Sequence, residues 1–324
     1  MDAREARYRE AERRLWWSLG VMPAERRLRL DRTGCDVRVQ EIGSGPPVLF
    51  IHGGTTCGTS WADLAVRLAG FRCLLLDRPG TGLSDQLPAP ITGLGRLGEL
   101  ADTLVVDVLD ALDLDSAALV ATSFGGWFAF RAGLAHPARI SRIVEFGWSA
   151  GAPVPRLPAV MRLGAAPLVG DVLARLPATA ATVRGIFRGI GHGSSLDAGR
   201  ISQEAVDAYA ALLRYTPTQR NDLRLGRLFL SPVQGLKPGI LLSESDRAGI
   251  QAPVLFIWGD ADPFGGLAVA RAFASAFPVG GLEIVRGGHA PWMDDPDRAA
   301  RLTASFLAGP LPGPGHPWPG GPDR

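Results

Sequence analysis

From about residue 36 to residue 148 the chain alternates between two hydrophobic patterns. Short, almost unbroken apolar runs appear in "DVRVQEIG", "PVLFIHG", "FRCLLLD", "AALVATS" and "RISRIVEF". Between them lie stretches such as "WADLAVRLA", "LGELADTLVVDVLDAL" and "GGWFAFRAGLA", where apolar residues recur at helical steps. Continuous apolar runs are what strands buried on both faces require, and amphipathic stretches between them supply the covering helices. The pattern therefore predicts an α/β fold with a mostly parallel central sheet and helices on both faces.

The rhythm stops between about Ser149 and Ile250, where "LPAVMRLGAAPLVGDVLARL" and "SQEAVDAYAALLRY" are helical and no convincing strand is visible. It resumes with "APVLFIWGD", "LAVARAFASAF", "LEIVRGG" and "DRAARLTASFL". We expect a core over residues 31–149 and 251–308, interrupted by a helical cap or lid over 150–250. Ahead of the core, residues 1–30 read as an amphipathic helical extension. Tyr8, Ala11, Leu15 and Leu19 fall on one stripe, and Trp16 and Trp17 are expected to widen it. The expected role of that stripe is docking on the body of the protein, with a dimer contact or a flap over the active site as alternatives. Residues 309–324, "GPLPGPGHPWPGGPDR", have the composition of a disordered tail.

Composition narrows the class. A chain of 324 residues with 46% hydrophobic residues can bury a large core. Its 34 basic and 32 acidic side chains leave a formal charge of only +2, and Lys237 is its single lysine, so no global field favours nucleic acid. Three cysteines, Cys35, Cys57 and Cys73, lack metal-ligand spacing and suit buried thiols in a reducing compartment. The start is too charged for a signal peptide, and no run approaches the length of a membrane span. The expectation is a soluble, cytoplasmic protein without stable membrane insertion, acting on a small molecule. Self-association is compatible with the sequence, which fixes no oligomeric state. No motif calls for a metal, nucleotide or flavin.

The chemistry concentrates at "VATSFGG". Ser123 follows an apolar strand and opens a helix, the setting of a nucleophile elbow, although Ala121 stands where the first glycine of Gly-x-Ser-x-Gly is expected. That position requires a small side chain, which alanine provides. A serine hydroxyl needs a histidine to take its proton, and the histidine needs a carboxylate to orient it. Among five histidines, His316 lies in the tail, His192 in the cap, and His136 at the end of the helix after Ser123. His289, in "VRGGHAPW", follows the last strand on a loop able to aim a side chain. "GDAD" offers Asp260 and Asp262. Asp262 is the expected acid, because Gly259 and two further residues let the chain turn off the strand before it, whereas Asp260 is expected to be solvated or to cap a helix.

In the order Ser123, Asp262, His289, the chain resembles the α/β-hydrolase fold superfamily, in its lidded branch with a serine nucleophile, over about residues 30 to 308. "HGG" at His52–Gly54 is similar to the family's oxyanion motif, "DRPGTGLSD" to its turn after the following strand, and "GDAD" and "GGH" to its acid and base loops. The resemblance implies that the main-chain N–H groups of Gly54 and Phe124 form the oxyanion hole. His52 is then expected to be structural. Arg78 is expected to pair with a nearby carboxylate in an architectural turn, and Glu145 stands as an alternative acid disfavoured by its place inside a strand.

The expected function is a serine hydrolase acting on small or medium, mainly hydrophobic esters or related acyl compounds through an acyl-enzyme. Lactonase, amidase, carbon–carbon bond hydrolase and acyltransferase chemistry are alternatives, as is a ligand-binding receptor of low turnover. Arg184, Arg188, Arg214 and Arg220 in the cap are expected to solvate helix faces.

Overall fold

The computed structural model describes residues 2–154, 157, 159–173, 175, 177–233 and 235–310. Helix α1 (Ala3–Ser18) leads into strands β1 (Ala24–Leu30), β2 (Cys35–Ile42) and β3 (Pro47–Ile51). A single helical turn α2 (Ala62–Ala65) follows, then β4 (Arg72–Leu76), α3 (Leu94–Ala111), β5 (Ala117–Ser123), α4 (Phe124–Ala135) and β6 (Ile140–Ser149). Within residues 150–250 lie α5 (Ala159–Ala165), α6 (Pro167–Leu173), α7 (Ala180–Gly189), α8 (Gly193–Asp197), α9 (Gln203–Tyr215) and α10 (Thr218–Phe229). A two-residue ribbon, β7 (Leu230–Ser231) and β8 (Gly235–Leu236), and α11 (Glu244–Gly249) complete that stretch. The chain then adds β9 (Val254–Gly259), α12 (Leu267–Ala274), β10 (Gly280–Val285) and α13 (Pro296–Ala308).

Eight strands form one sheet in the order β1-β2-β4-β3-β5-β6-β9-β10. Neighbours from β4 to β10 are parallel, and β1 and β2 run antiparallel at one edge. Side chains alternate faces along a strand, so a sheet covered on both sides needs two apolar sets from every inner strand. Leu49 and Ile51 of β3, with Phe256 and Trp258 of β9, join the core on one face. Val48 and Phe50, with Leu255 and Ile257, join the core on the other. Six parallel strands end at one edge, and the loops leaving that edge carry His52–Gly54, Asp77–Asp85, Ser123, Asp260–Asp262 and Gly287–His289. In open α/β sheets the carboxyl edge is where sites are built.

Two local expectations are revised. Residues 24–30 are not part of a helix but the outermost strand, paired along their full length with Cys35–Glu41. Trp17 does not join the apolar stripe of α1: it is 73% exposed, whereas Trp16 is buried, because consecutive helical residues diverge by about 100°. The stripe of Tyr8, Ala11 and Leu15 is buried, and α1 packs along α9. Glu12 is buried beside that stripe. Its carboxylate accepts two 2.8 Å hydrogen bonds from Arg38 on β2, whose Nε also donates to Asp77 at 2.8 Å. The tail from residue 311 onward, including His316, lies outside the described residues.

Candidate active site

Ser123 ends β5 and caps α4 with φ +56° and ψ −120°. A non-glycine residue at positive φ is costly by about 1–3 kcal/mol, so the turn must be held by its surroundings. Glycines make that possible. A Cβ on Gly125 would collide with the Ile51 carbonyl, and one on Gly126 with the Glu145 carboxyl group. Ala121 is fully buried, its backbone paired between Ile51 and Glu145.

Asp262 and His289 come from the loops after β9 and β10. The Oδ2 of Asp262 lies 2.9 Å from Nδ1 of His289 and accepts the N–H of Trp148 at 2.7 Å, while Oδ1 accepts the N–H of Phe264 at 2.9 Å. Three donors on one buried carboxylate fix its plane. The carboxylate directs the Nδ1–H tautomer of His289, which leaves Nε2 to exchange protons. The Phe264 ring stands edge-on to the imidazole with centroids 4.4 Å apart. Asp260 faces elsewhere and accepts the N–H of Gly287 at 3.0 Å, tying the acid loop to the base loop. Ser123 and His289 both line one cavity. Among the described residues no hydrogen bond joins the serine hydroxyl to the imidazole, whose Nδ1 faces Asp262.

The loop after β3 is held from beneath and from the cap. His52 is fully buried; its Nε2 accepts the Arg78 N–H at 3.1 Å, and its Nδ1 lies 2.8 Å from the Gly53 carbonyl. Burial, reinforced by the Arg78 charge, pushes its pKa well below the usual imidazole range, so the ring is neutral. Arg78 donates to the His52 and Gly53 carbonyls and stacks over Phe124, with its guanidinium carbon 5.1 Å from the ring centroid. Its carboxylate partner is Asp222 of α10, at 3.0 Å and 144 positions away. The same oxygen of Asp222 accepts the N–H of Thr55 at 2.6 Å, and Thr55 itself has φ +56°. Asp222 carries no motif, so only the folded chain reveals its link to the loop. The N–H groups of Gly54 and Phe124 meet no protein acceptor among the described residues. A Cβ on Gly54 would face open space, so packing alone does not demand glycine there.

Glu145, the alternative acid, is fully buried within β6 behind the elbow. Neither oxygen has a well-formed hydrogen bond, because the nearby Ser149 hydroxyl is directed to the Ser123 and Ala150 carbonyls. Burial pushes its pKa well above the usual carboxylate range, offset only in part by Ser149 and the Ser123 backbone. Burial thus favours its protonated form, and it makes no hydrogen bond to His289.

The cavity measures about 970 Å³ and is walled largely by apolar side chains, including Phe124, Phe229, Ile186 and Met293. Tyr8, Leu15, Ser18 and Leu19 also line it, so α1 both docks on the body and forms part of the wall. Arg200 is the one arginine or lysine among the described lining residues, which include the acidic Asp63, Glu204 and Asp222. Arg184, Arg188, Arg214 and Arg220 are not among them. No group of three or more metal-binding side chains occurs among the described residues, and no helix among them is long and apolar enough to cross a membrane.

A sequence model of the α/β hydrolase fold matches residues 46–149, the stretch from β3 through the elbow to the end of β6. The chain has the α/β-hydrolase fold. Similar proteins include a 2-hydroxy-6-oxononadienedioate/2-hydroxy-6-oxononatrienedioate hydrolase of Burkholderia vietnamiensis, 28% identical over 86% of this chain and 92% of the relative. Among solved α/β-hydrolase structures, carboxylesterase CesB from Bacillus subtilis superposes with a TM-score of 0.74 at 20% identity, covering 96% of this chain and all of the other. The 2-hydroxy-6-oxo-6-phenylhexa-2,4-dienoate hydrolase from Rhodococcus sp. strain RHA1 also gives 0.74, at 16% identity, over 89% and 99% of the two chains.

Proposed function

We propose that this α/β-fold hydrolase cleaves small or medium, mainly hydrophobic esters or related acyl compounds, with Ser123 as nucleophile, His289 as base and then acid, and Asp262 as the orienting carboxylate. The observation that carries this reading is the 2.9 Å His289–Asp262 pair on the rim of the apolar cavity that Ser123 also lines. Ser123 attacks the acyl carbon as His289 takes its proton, and the oxygen that becomes negative is received by the N–H groups of Gly54 and Phe124. His289 returns the proton to the leaving group, then activates a water that releases the acyl-enzyme. The positive φ of Ser123 and the N-terminus of α4 support the assignment, since helix N–H groups favour developing negative charge.

The same groups also suit a second reading, carbon–carbon bond hydrolysis, favoured by the names of the curated relatives. Those relatives act on dicarboxylates. One arginine against three acidic residues in the described lining is a poor match for two carboxylates, so a neutral substrate is preferred here. Purified protein would be offered a fluorophosphonate probe, a series of neutral aryl esters and a 2-hydroxy-6-oxo-dienedioate. Covalent labelling of Ser123 with fastest turnover of neutral esters is the expected result. Faster turnover of the dienedioate would favour the second reading, and tight ligand binding without labelling would make the protein a receptor.

A further inference from the structure

Three consecutive residues of the cap, Ile190, Gly191 and His192, sit between the loops of Asp262 and His289. The Ile190 carbonyl accepts the His289 N–H at 2.9 Å. The His192 ring, fully buried, reaches the positions on either side. Its Nε2 accepts the Ala290 N–H at 3.2 Å, and its Nδ1 lies 2.8 Å from Oδ2 of Asp294, the oxygen that also accepts the Gly288 N–H at 2.9 Å. The main-chain N–H groups of residues 288, 289 and 290 are thus all engaged by one assembly. Gly191 lets it close: at φ +96° the chain passes where a Cβ would stand 2.6 Å from the Ala261 carbonyl oxygen and 2.8 Å from Gly288 Cα. The cap therefore touches the acid loop and the base loop together.

The groups packed on the His192 ring settle its state. Asp294 faces Nδ1, the Ser195 hydroxyl donates to the other Asp294 oxygen, and Phe187 stands edge-on with centroids 6.4 Å apart. An Nε2 that accepts a main-chain N–H carries no proton, so the ring is the neutral Nδ1–H tautomer, acceptor to the loop and donor to the carboxylate. A side chain with only one of these capacities would leave a buried polar group unmatched.

We infer that His192 is a positioning residue through which the seated cap fixes the His289 loop, so that a displaced cap also misaligns the base. The inference rests on the reading of His289 as base. Small misplacements of a reacting group cost up to about 10² in rate. His192→Ala is therefore expected to lower kcat and the fluorophosphonate labelling rate by about 10- to 100-fold per folded molecule, with KM changed less than about 3-fold. His192→Gln, whose amide can accept the Ala290 N–H, is expected to recover most of that loss. If His192→Ala does not fold, His192→Phe keeps the ring volume, removes both hydrogen bonds and is judged by the same criteria. A folded Ala or Phe variant with the parent kcat and labelling rate would overturn the inference. Hydrogen exchange of the 287–291 segment tests the clamp without catalysis: at least about 10-fold faster exchange, confined to that segment, is expected, and unchanged protection overturns it. Failure of the parent protein to label at Ser123 would instead sink the hydrolase reading, leaving the exchange experiment to decide the clamp.

Discussion

In the core, the proposed reacting groups are aimed by main chain. Ser123 is set by a strand-to-helix turn, and Asp262 by the backbone N–H groups of Trp148 and Phe264. In the cap the relation is reversed, because side chains reach out to hold main chain: Asp222 grips Thr55 beside the proposed oxyanion loop, and His192 grips Ala290 beside the proposed base. The contrast teaches a division of labour. Under the proposed function, core residues determine which atoms react, and cap residues determine how steadily the loops present them. Core substitutions should then abolish chemistry in an intact fold, whereas cap substitutions should give graded losses that mix rate with stability.

The sharpest test of the core half is Ser123→Ala. Covalent labelling should vanish and turnover should fall by at least about 10⁴-fold, while the melting temperature stays at or above the parent value because a residue's hydroxyl, not its backbone, is removed. Residual labelling at the parent rate would move the nucleophile elsewhere. Next in size, Asp262→Asn should cost about 10⁴ in kcat by offering the imidazole an amide and favouring the wrong tautomer. Asp260→Asn keeps an oxygen for the Gly287 N–H and should cost less than about 10-fold. Steady-state kinetics on both variants decide between the two carboxylates, and a reversed ranking would reassign the acid.

The cap half is broken most directly at Asp222. Removing its carboxylate strands the buried Arg78 charge and the Thr55 N–H, and loss of one partner of a buried pair destabilises by about 3–5 kcal/mol. Asp222→Ala should therefore lower the denaturation midpoint far more than Ser123→Ala, measured by urea melts, and Asp222→Asn should recover part of the loss. If the two midpoints coincide, the cap's grip on the loop is weaker than its hydrogen bonds imply.

What could be read in the sequence follows the same division. The inner strands were legible because each is its own structural cause, an apolar run, and the proposal of Ser123, Asp262 and His289 rests on equally local signals: a pair of glycines, a strand end. The pairing of residues 24–30 with β2 was hidden because "AERRLRL" shows four charges and borders a helix, and only its outermost position in the sheet makes that composition suitable. Trp17 misled because hydrophobicity was read without its angle on the helix. Asp222, His192 and Asp294 were invisible as a set, since each partner lies about a hundred positions or more away and no local pattern marks it. Cap residues act through contacts that the chain makes only after folding.

Glu145 gives the smallest and most pH-specific test of the core's rigidity. Its folded pKa is raised by burial above the ordinary glutamate value of 4.5, so the folded chain holds a proton there that the unfolded chain releases. With more protons bound in the folded state, stability is fully present below the unfolded pKa and falls as pH climbs from there toward the folded value, at up to about 1.4 kcal/mol per pH unit for one proton. Glu145→Gln keeps a neutral side chain of similar shape at every pH and should remove that slope. Urea melts of the two proteins at several pH values from 5 to 9 should show the variant gaining on the parent as pH rises, with little difference in kcat at the low end. Parallel stability curves would mean that the Glu145 carboxyl is charged behind the elbow and has found a partner there.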